Sequence, residues 1–209
     1  EQRAAAARAL AGENLFISGA AGTGKSFLLR YIVQELEQRH PGQVTITAPT
    51  GIAAVNVGGQ TIHSFAGIGL GQVPAGTRSP KGMLLARVRH STANVARWTG
   101  TKVLIIDEVS MLEPELFEML DYIGCEIRGD RRRGFGGLQL LLCGDFLQLP
   151  PITATVDEAA ATFCFEGQTW VKCGLDRGTV ILRQPVRQQG DPAFVNLLNA
   201  IRMGNCCAE

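Results

Sequence analysis

Apolar residues in this chain fall into short runs separated by longer stretches with a different spacing. The short runs occur at 15–17, 44–48, 103–106, 138–143 and 179–182. Between them, apolar residues recur three and four positions apart, a spacing typical of amphipathic helices. Strands that alternate with helices in this order predict an α/β fold with a central, mainly parallel sheet and right-handed crossovers.

Helical spacing and composition predict the segments that connect these strands. We expect helices at 3–11, from the end of the phosphate loop to about Arg39, at 83–98 and from Met111 to about Ile127, and a further one that starts at Phe194 and ends near Gly204. Residues 67–82 are rich in Gly, Pro and Ser, which predicts a long loop or a small inserted subdomain. The apolar residues Phe163, Cys164, Phe165 and Trp170 are predicted to lie in the core.

Length, charge and cysteine content narrow the class of protein. A chain of 209 residues is long enough for one sizeable domain. With 20 basic and 19 acidic residues there is no overall basic surplus, so a nucleic-acid site would have to be a local groove. No apolar run approaches the roughly 20 residues of a membrane span. The six Cys lack metal-ligand spacing, and we expect a reducing, intracellular compartment.

Residues 19–26 fit the phosphate-loop pattern between the first predicted strand and its helix. Glycines let several backbone N–H groups point at one anion, and the helix N-terminus adds partial positive charge. Lys25 would reach the β- and γ-phosphates of ATP, and the Ser26 hydroxyl would ligate Mg²⁺. The alternative is a glycine-rich turn without a ligand. The predicted loop consists of Gly19, Ala20, Ala21, Gly22, Thr23, Gly24, Lys25 and Ser26.

Two carboxylates follow the buried strand at 103–106, at the end where ligands bind in open α/β sheets. Asp107 would hold Mg²⁺, and Glu108 would orient or deprotonate the attacking water. The alternative is that they cap the next helix. Gln148 follows a third strand and would suit a γ-phosphate sensor beside the same crevice, although alone it could equally be a loop residue.

Further sequence blocks are spread over nearly all of the chain. The more specific ones are Thr-Ile-His-Ser-Phe-Ala-Gly at 61–67 and Gly-Asp-Phe-Leu-Gln-Leu-Pro-Pro at 144–151. The others are the phosphate loop, 48–54, 106–111, 135–139, and Val-Arg-Gln at 186–188 with Phe194 and 202–204. In these blocks the chain resembles the first RecA-like domain of a superfamily-one DNA helicase, of the petite-integration-frequency family related to the RecD-like helicases.

This resemblance implies roles for further residues. Gln2 falls where the family has an adenine-reading glutamine, and Arg187 matches its arginine finger, which would stabilise charge on the transferring phosphoryl group. The insert between Phe65 and Trp98, with 67–98 as a small subdomain, corresponds to the family's duplex-splitting wedge. The residues that match the single-strand path are Thr50, Ile52, His63, Ser64 and Phe65.

The resemblance also implies what the chain needs in order to act. The family has a second RecA-like domain, and residues 1–209 contain no counterpart of its motifs. Because the chain begins with Glu1, we expect a piece of a longer protein that binds nucleotide weakly alone and does not unwind DNA. The parent would be a monomer that uses ATP and Mg²⁺ to move 5′ to 3′ on single-stranded, forked or structured DNA. It would act in the nucleus or mitochondrion of a eukaryote, or in a bacterial cytoplasm.

Two other classes of protein remain alternatives. A non-helicase phosphate-loop ATPase would share the loop and the Asp107-Glu108 pair, but gives no reason for the blocks at 61–65 and 144–151. A nucleic-acid-binding module without catalysis would have no need of Lys25 or Arg187. DNA stimulation of ATP hydrolysis separates the three.

Overall fold

The computed structural model describes residues 1–151, 163–184, 197–198 and 200–205. Within them, six strands form one sheet in the order β3-β2-β4-β5-β1-β6, and every pairing is parallel. This confirms the predicted α/β fold with a parallel sheet. The strands are β1 (Leu15–Gly19), β2 (Val44–Ala48), β3 (Gln60–Thr61), β4 (Val103–Ile106), β5 (Gln139–Gly144) and β6 (Thr179–Leu182).

Helices cover both faces of this sheet. Thr50, Thr61, Ser79 and Ser91 cap four of them, each side chain accepting a backbone N–H three residues further on. In the part of the chain described, no helix is long and apolar enough to cross a membrane. The helices are α1 (Gln2–Leu10), α2 (Lys25–Arg39), α3 (Gly51–Asn56), α4 (Ile62–Ala66), α5 (Pro80–Arg89), α6 (Thr92–Gly100), α7 (Pro114–Arg128) and α8 (Gln168–Lys172).

The core consists of two layers, because neighbouring residues of each strand point to opposite faces of the sheet. Ile17 and Ile105 belong to the layer covered by α1 and α2. Phe16 and Leu104, each one residue earlier, belong to the larger layer under α4 to α8. All four strand residues of β4 are buried. A strand that is buried on both faces consists of a continuous run of apolar residues. That run is why this strand could be predicted from the sequence.

Three sequence predictions about these elements are wrong in detail. The single helix expected at 83–98 is two helices, because the Ser91 hydroxyl accepts the Asn94 N–H and starts α6. The helix expected from Met111 begins at Pro114, after a 3₁₀ turn at Val109–Met111. Phe165, expected in the core, is 41% exposed, whereas Cys164 and Trp170 are buried.

The segment at 67–98 packs against the main core. Leu84 and Val88 of α5 and Trp98 of α6 are buried in the larger layer, and the Trp98 ring lies 4.8 Å from that of Phe65, centroid to centroid. The loop of this segment comes before α5 in the chain. The duplex-splitting role expected of this segment stays a prediction.

A strained turn at 135–137 connects α7 to β5. Phe135 has φ 51°, a left-handed conformation that is uncommon for a residue with a side chain. Its N–H donates to Asp121 Oδ1 at 2.7 Å, and Lys172 Nζ lies 2.6 Å from the other oxygen. Arg128 donates to the Gly136 carbonyl at 2.9 Å. The carboxylate and the guanidinium therefore hold the turn in a conformation that the backbone alone disfavours.

We predict that Asp121→Ala lowers the free energy of unfolding by about 3 kcal/mol, because it removes one partner of a largely buried ion pair and leaves the Phe135 N–H unsatisfied. Urea unfolding measures this. The control is Asp176→Ala, which removes an exposed pair with Arg177 at 3.8 Å and should change stability by less than about 0.5 kcal/mol. Equal losses of stability in the two variants would contradict the role of Asp121 in holding the turn.

Candidate active site

The order of the strands brings the three predicted chemical segments to one edge of the sheet. β5 pairs with β4 on one side and with β1 on the other. Because all three strands are parallel, their carboxyl ends lie side by side. The phosphate loop follows β1, Asp107 follows β4, and Asp145 follows β5. The structure therefore brings together three segments that are well separated in the sequence, the first and last of them by more than a hundred residues.

The backbone of the phosphate loop depends on its glycines. Gly22 has φ 80° and Gly24 has φ 87°, both in the left-handed region that glycine adopts without penalty. Gly19 lies so close to β6 that a Cβ would be 2.6 Å from the Leu182 carbonyl oxygen. Thr23 Oγ1 donates to the Ala20 carbonyl at 2.8 Å and closes the loop on itself. The loop thus has the tight curvature that an anion cradle requires.

Lys25 and Gln2 both contact this loop. Lys25 Nζ lies 2.6 Å from the Gly19 carbonyl oxygen and 3.1 Å from that of Ala20, so its ammonium is held inside the curve of the loop. Gln2 Nε2 donates to the Thr23 carbonyl at 3.1 Å. The predicted adenine-reading residue is thereby brought beside the predicted phosphate cradle, although 21 positions separate it from Thr23.

Ser26, Asp107 and Glu108 line one cavity of about 370 Å³ between α2 and α3. The Asp107 side chain is buried, and its Oδ1 accepts the Glu108 N–H at 3.0 Å. A hydroxyl and a carboxylate are oxygen ligands of the kind that Mg²⁺ prefers. Among the described residues, no group of three or more His, Cys, Asp or Glu could hold a metal ion. This donor set fits an ion that takes its remaining ligands from water and phosphates.

Glu108 is both strained and electrostatically unfavourable where it lies. Its backbone has φ 51°, again in the left-handed region. Burial raises the pKa of its carboxyl group, and the neighbouring charge of Asp107 raises it further, while Lys25 acts in the opposite direction. A carboxylate with a raised pKa is a better proton acceptor than an ordinary one, which suits a general base.

Gln148 is held by Asp145, a residue for which the sequence predicts no role of its own. Its Nε2 donates to Asp145 Oδ2 at 3.1 Å, and Arg202 forms an ion pair with the same carboxylate. Burial alone would raise the pKa of Asp145, but hydrogen bonds from Arg202, Gln148 and Leu147 outweigh it and lower the pKa. Asp145 stands in the octet at 144–151, yet nothing in the sequence signals a contact with Arg202.

The residues predicted to line the strand path have different exposures. Ile52 is 80% exposed, and Ser64 is exposed. Thr50 and His63 line a cavity of about 450 Å³. Burial lowers the pKa of His63, which favours the neutral imidazole. Phe65 is fully buried and is a core residue in this conformation, and its predicted place in the strand path stays a prediction.

Arg187, the predicted arginine finger, lies outside the described residues, as does Phe194. Its placement relative to the other groups stays a prediction. The groups that the structure does bring to one edge are the phosphate loop, the Asp107-Glu108 pair and Gln148.

The model of the PIF1-like helicase family matches residues 2–209. The chain belongs to the PIF1-like helicase family. The ATP-dependent DNA helicase PIF1 of Candida albicans is 42% identical to it over 212 residues, which cover 98% of this chain and 22% of that relative.

Solved PIF1 structures confirm the RecA-like helicase fold. The crystal structure of Pif1 helicase from Candida albicans matches with a TM-score of 0.86 and 41% identity, covering 96% of this chain and 43% of that one. Pif1 helicase from Bacteroides in complex with ADP-AlF3 and ssDNA matches with a TM-score of 0.75 and 31% identity, covering 93% and 43%. This PIF1-like chain therefore spans less than half the length of either solved relative.

We predict that Glu108→Gln stabilises the fold at neutral pH. For a carboxyl group whose pKa is raised on folding, the free energy of unfolding falls as pH rises through that pKa. The ionised side chain therefore destabilises the fold at pH 7. The amide should add roughly 1 kcal/mol to the free energy of unfolding at pH 7. The gain in stability should vanish below pH 4.5, which is the ordinary pKa of Glu.

Urea unfolding at both pH values measures this difference. The matched control is Glu115→Gln, at an exposed site in the first turn of α7, which should bring no gain at either pH. A gain for Glu108→Gln that is the same in acid and at pH 7 would contradict the electrostatic explanation.

Proposed function

We propose that this chain is the first RecA-like domain of an ATP-dependent DNA helicase. The observation that carries the proposal is the meeting of three segments at one sheet edge: the phosphate loop, the Asp107-Glu108 pair and Gln148. Membership of the PIF1-like family supports it, since the named relatives are ATP-dependent DNA helicases. ATP hydrolysis would supply the energy, and the protein would move along DNA.

In this proposal the residues of the site have different roles. The backbone N–H groups of 19–24 bind the phosphates, and Lys25 leaves the Gly19 and Ala20 carbonyls to bind the β- and γ-phosphates. Ser26 and Asp107 would hold Mg²⁺, which neutralises phosphate charge. Glu108 orients the attacking water and accepts its proton.

Single-stranded DNA would cross the surface that carries Thr50, Ile52, His63 and Ser64. A neutral His63 ring and an exposed Ile52 side chain suit contact with bases, and such contacts are sequence-tolerant. Loop 49–50 follows β2, and residues 62–64 follow β3 of the same sheet, so movement at the ATP edge can reach both. We propose 5′ to 3′ movement and forked or structured DNA as substrates, as the family resemblance implies.

The active enzyme would include a second RecA-like domain, and we call the chain together with that domain the parent protein. Closure of that domain onto Arg187 and Glu108 of this chain would complete the site around the nucleotide. The chain alone should bind nucleotide weakly and leave duplexes intact. We propose a monomeric parent inside the cell, in the nucleus or mitochondrion of a eukaryote or in a bacterial cytoplasm.

The competing proposal is a phosphate-loop ATPase that is not a helicase. It would use Lys25 and Asp107 in the same way, but its hydrolysis would not depend on DNA. The helicase proposal requires DNA to accelerate hydrolysis, because the strand path and the ATP edge belong to one sheet. The DNA dependence of ATP hydrolysis therefore decides between the two proposals.

We predict that the parent protein hydrolyses ATP much faster with single-stranded DNA, and that Lys25→Ala lowers the stimulated kcat by at least about 100-fold, because a charge-stabilising donor is lost. Phosphate release measures the rate. Lys102→Ala, at an exposed position before β4, is the control and should hydrolyse normally. A Lys25→Ala parent that still unwinds DNA would refute the proposal.

We also predict that His63→Ala weakens binding of the parent to single-stranded DNA by about tenfold, because one stacking contact is removed. ADP affinity should stay unchanged, since His63 lies outside the phosphate loop. Fluorescence anisotropy with a labelled oligonucleotide measures the affinity. His90→Ala, at the exposed end of α5, is the control. If both substitutions have the same effect, His63 does not contact the strand.

A further inference from the structure

Asp145 is the centre of a hydrogen-bond network that joins the end of β5 to a segment near the end of the chain. Arg202 Nε lies 2.7 Å from Oδ2, and Nη2 lies 2.8 Å from Oδ1. Gln148 Nε2 lies 3.1 Å from Oδ2, and the Leu147 N–H donates to Oδ1 at 3.2 Å. The Asp145 side chain is only 1% exposed, so these bonds form away from bulk water.

This network fixes the orientation of the Gln148 amide. An ionised carboxylate only accepts hydrogen bonds, so the group that faces Asp145 must be the NH₂ and not the carbonyl of Gln148. One of its two hydrogens is used, which leaves the second N–H and Oε1 for a ligand. Gln148 is exposed, and a glutamine without such a partner would lose substantial rotamer freedom whenever it bound a phosphate.

Arg202 is the cation that makes this arrangement stable. A buried carboxylate without a cation is costly and tends to take up a proton. The planar guanidinium of Arg202 matches both oxygens of Asp145, a geometry that a lysine cannot reproduce. A protonated Asp145 would no longer have two oxygens that only accept, and the orientation of Gln148 would become ambiguous.

The position of Asp145 links this pair to the chemistry. β5 lies between β4 and β1, so Asp145 stands between the segment that carries Glu108 and the phosphate loop. A Cβ on the preceding Gly144 would lie only 3.0 Å from the Val109 backbone nitrogen, which shows how closely β5 approaches the residue after Glu108. A displacement of Asp145 would therefore also displace groups of the predicted hydrolytic site.

We infer that Arg202 is a positioning residue for ATP hydrolysis, which acts through Asp145 to set the Gln148 amide against the γ-phosphate. This inference rests on the proposed function. Arg202 lies downstream of the predicted arginine finger Arg187. The ion pair thus couples the position of Arg202 to the orientation of the γ-phosphate sensor.

The test measures kcat and nucleotide affinity of the parent protein with saturating single-stranded DNA. Arg202→Ala should lower kcat by about tenfold, the effect of losing one hydrogen bond to a charged group. ADP affinity should stay unchanged, because ADP lacks the γ-phosphate, whereas affinity for ATPγS should fall. Arg202→Lys should recover part of kcat. Asp145→Asn, which keeps the side-chain shape, should resemble Arg202→Ala and provides a variant with less risk to folding.

Combination with Gln148→Ala separates positioning from a merely structural role. If Arg202 acts through Gln148, adding Arg202→Ala to Gln148→Ala should slow hydrolysis no further. The control is Arg177→Ala, which removes an arginine that is 93% exposed and should leave both constants unchanged.

Three results would overturn the inference: an unchanged kcat in Arg202→Ala, an equal slowing in the Gln148→Ala background, or an equal loss of ADP and ATPγS affinity. These results are distinct from failure of the proposed function. If Lys25→Ala hydrolyses ATP as fast as the wild type, both the function and the inference fail. If Lys25→Ala is inactive and only the Arg202 results disagree, the inference alone fails.

Discussion

Parallel pairing of three buried strands is the constraint on which the rest of the structure depends. β4, β5 and β1 are adjacent, and their apolar residues are covered on both faces, so none of them can slip or reverse without exposing a core layer. Because they are parallel, the loops that follow them open at one edge. The phosphate loop, the Asp107-Glu108 pair and Asp145 are brought together by the burial of Val, Ile and Leu side chains far more than by contacts among themselves.

Unfavourable local features are concentrated at that edge and in the turn that precedes β5. Glu108 combines a left-handed backbone with a raised pKa, and Phe135 shares the same backbone region. Each is held by hydrogen bonds of its backbone: Glu108 by those with Asp107 and Met111, and Phe135 by that with Asp121. Such strain persists only where the surrounding structure over-determines it, and it is commonly found where a site must be ready for chemistry.

The fold and the main groups of the candidate site could be predicted from the sequence because they leave local signals. A run such as 103–106 followed by Asp107 and Glu108 identifies both a buried strand and its chemical end. The glycine and lysine spacing of 19–26 does the same. Caps and long-range contacts leave weaker signals: Ser91 divides one expected helix into two, and Arg202 reaches Asp145 across 57 positions. Phe65 stands in a polar block, yet packing against Trp98 buries it, which only the tertiary structure reveals.

The measurement that most directly tests the central claim is titration of this 209-residue chain with a fluorescent ADP, with and without Mg²⁺. If the edge formed by residues 19–26 and Asp107 is a nucleotide site, binding should be saturable, weak, and stronger with Mg²⁺ present. Displacement by unlabelled ADP confirms that the fluorophore is not responsible. Absence of saturable binding up to about 1 mM, the weak end of ordinary affinities, or binding indifferent to Mg²⁺ would contradict the account.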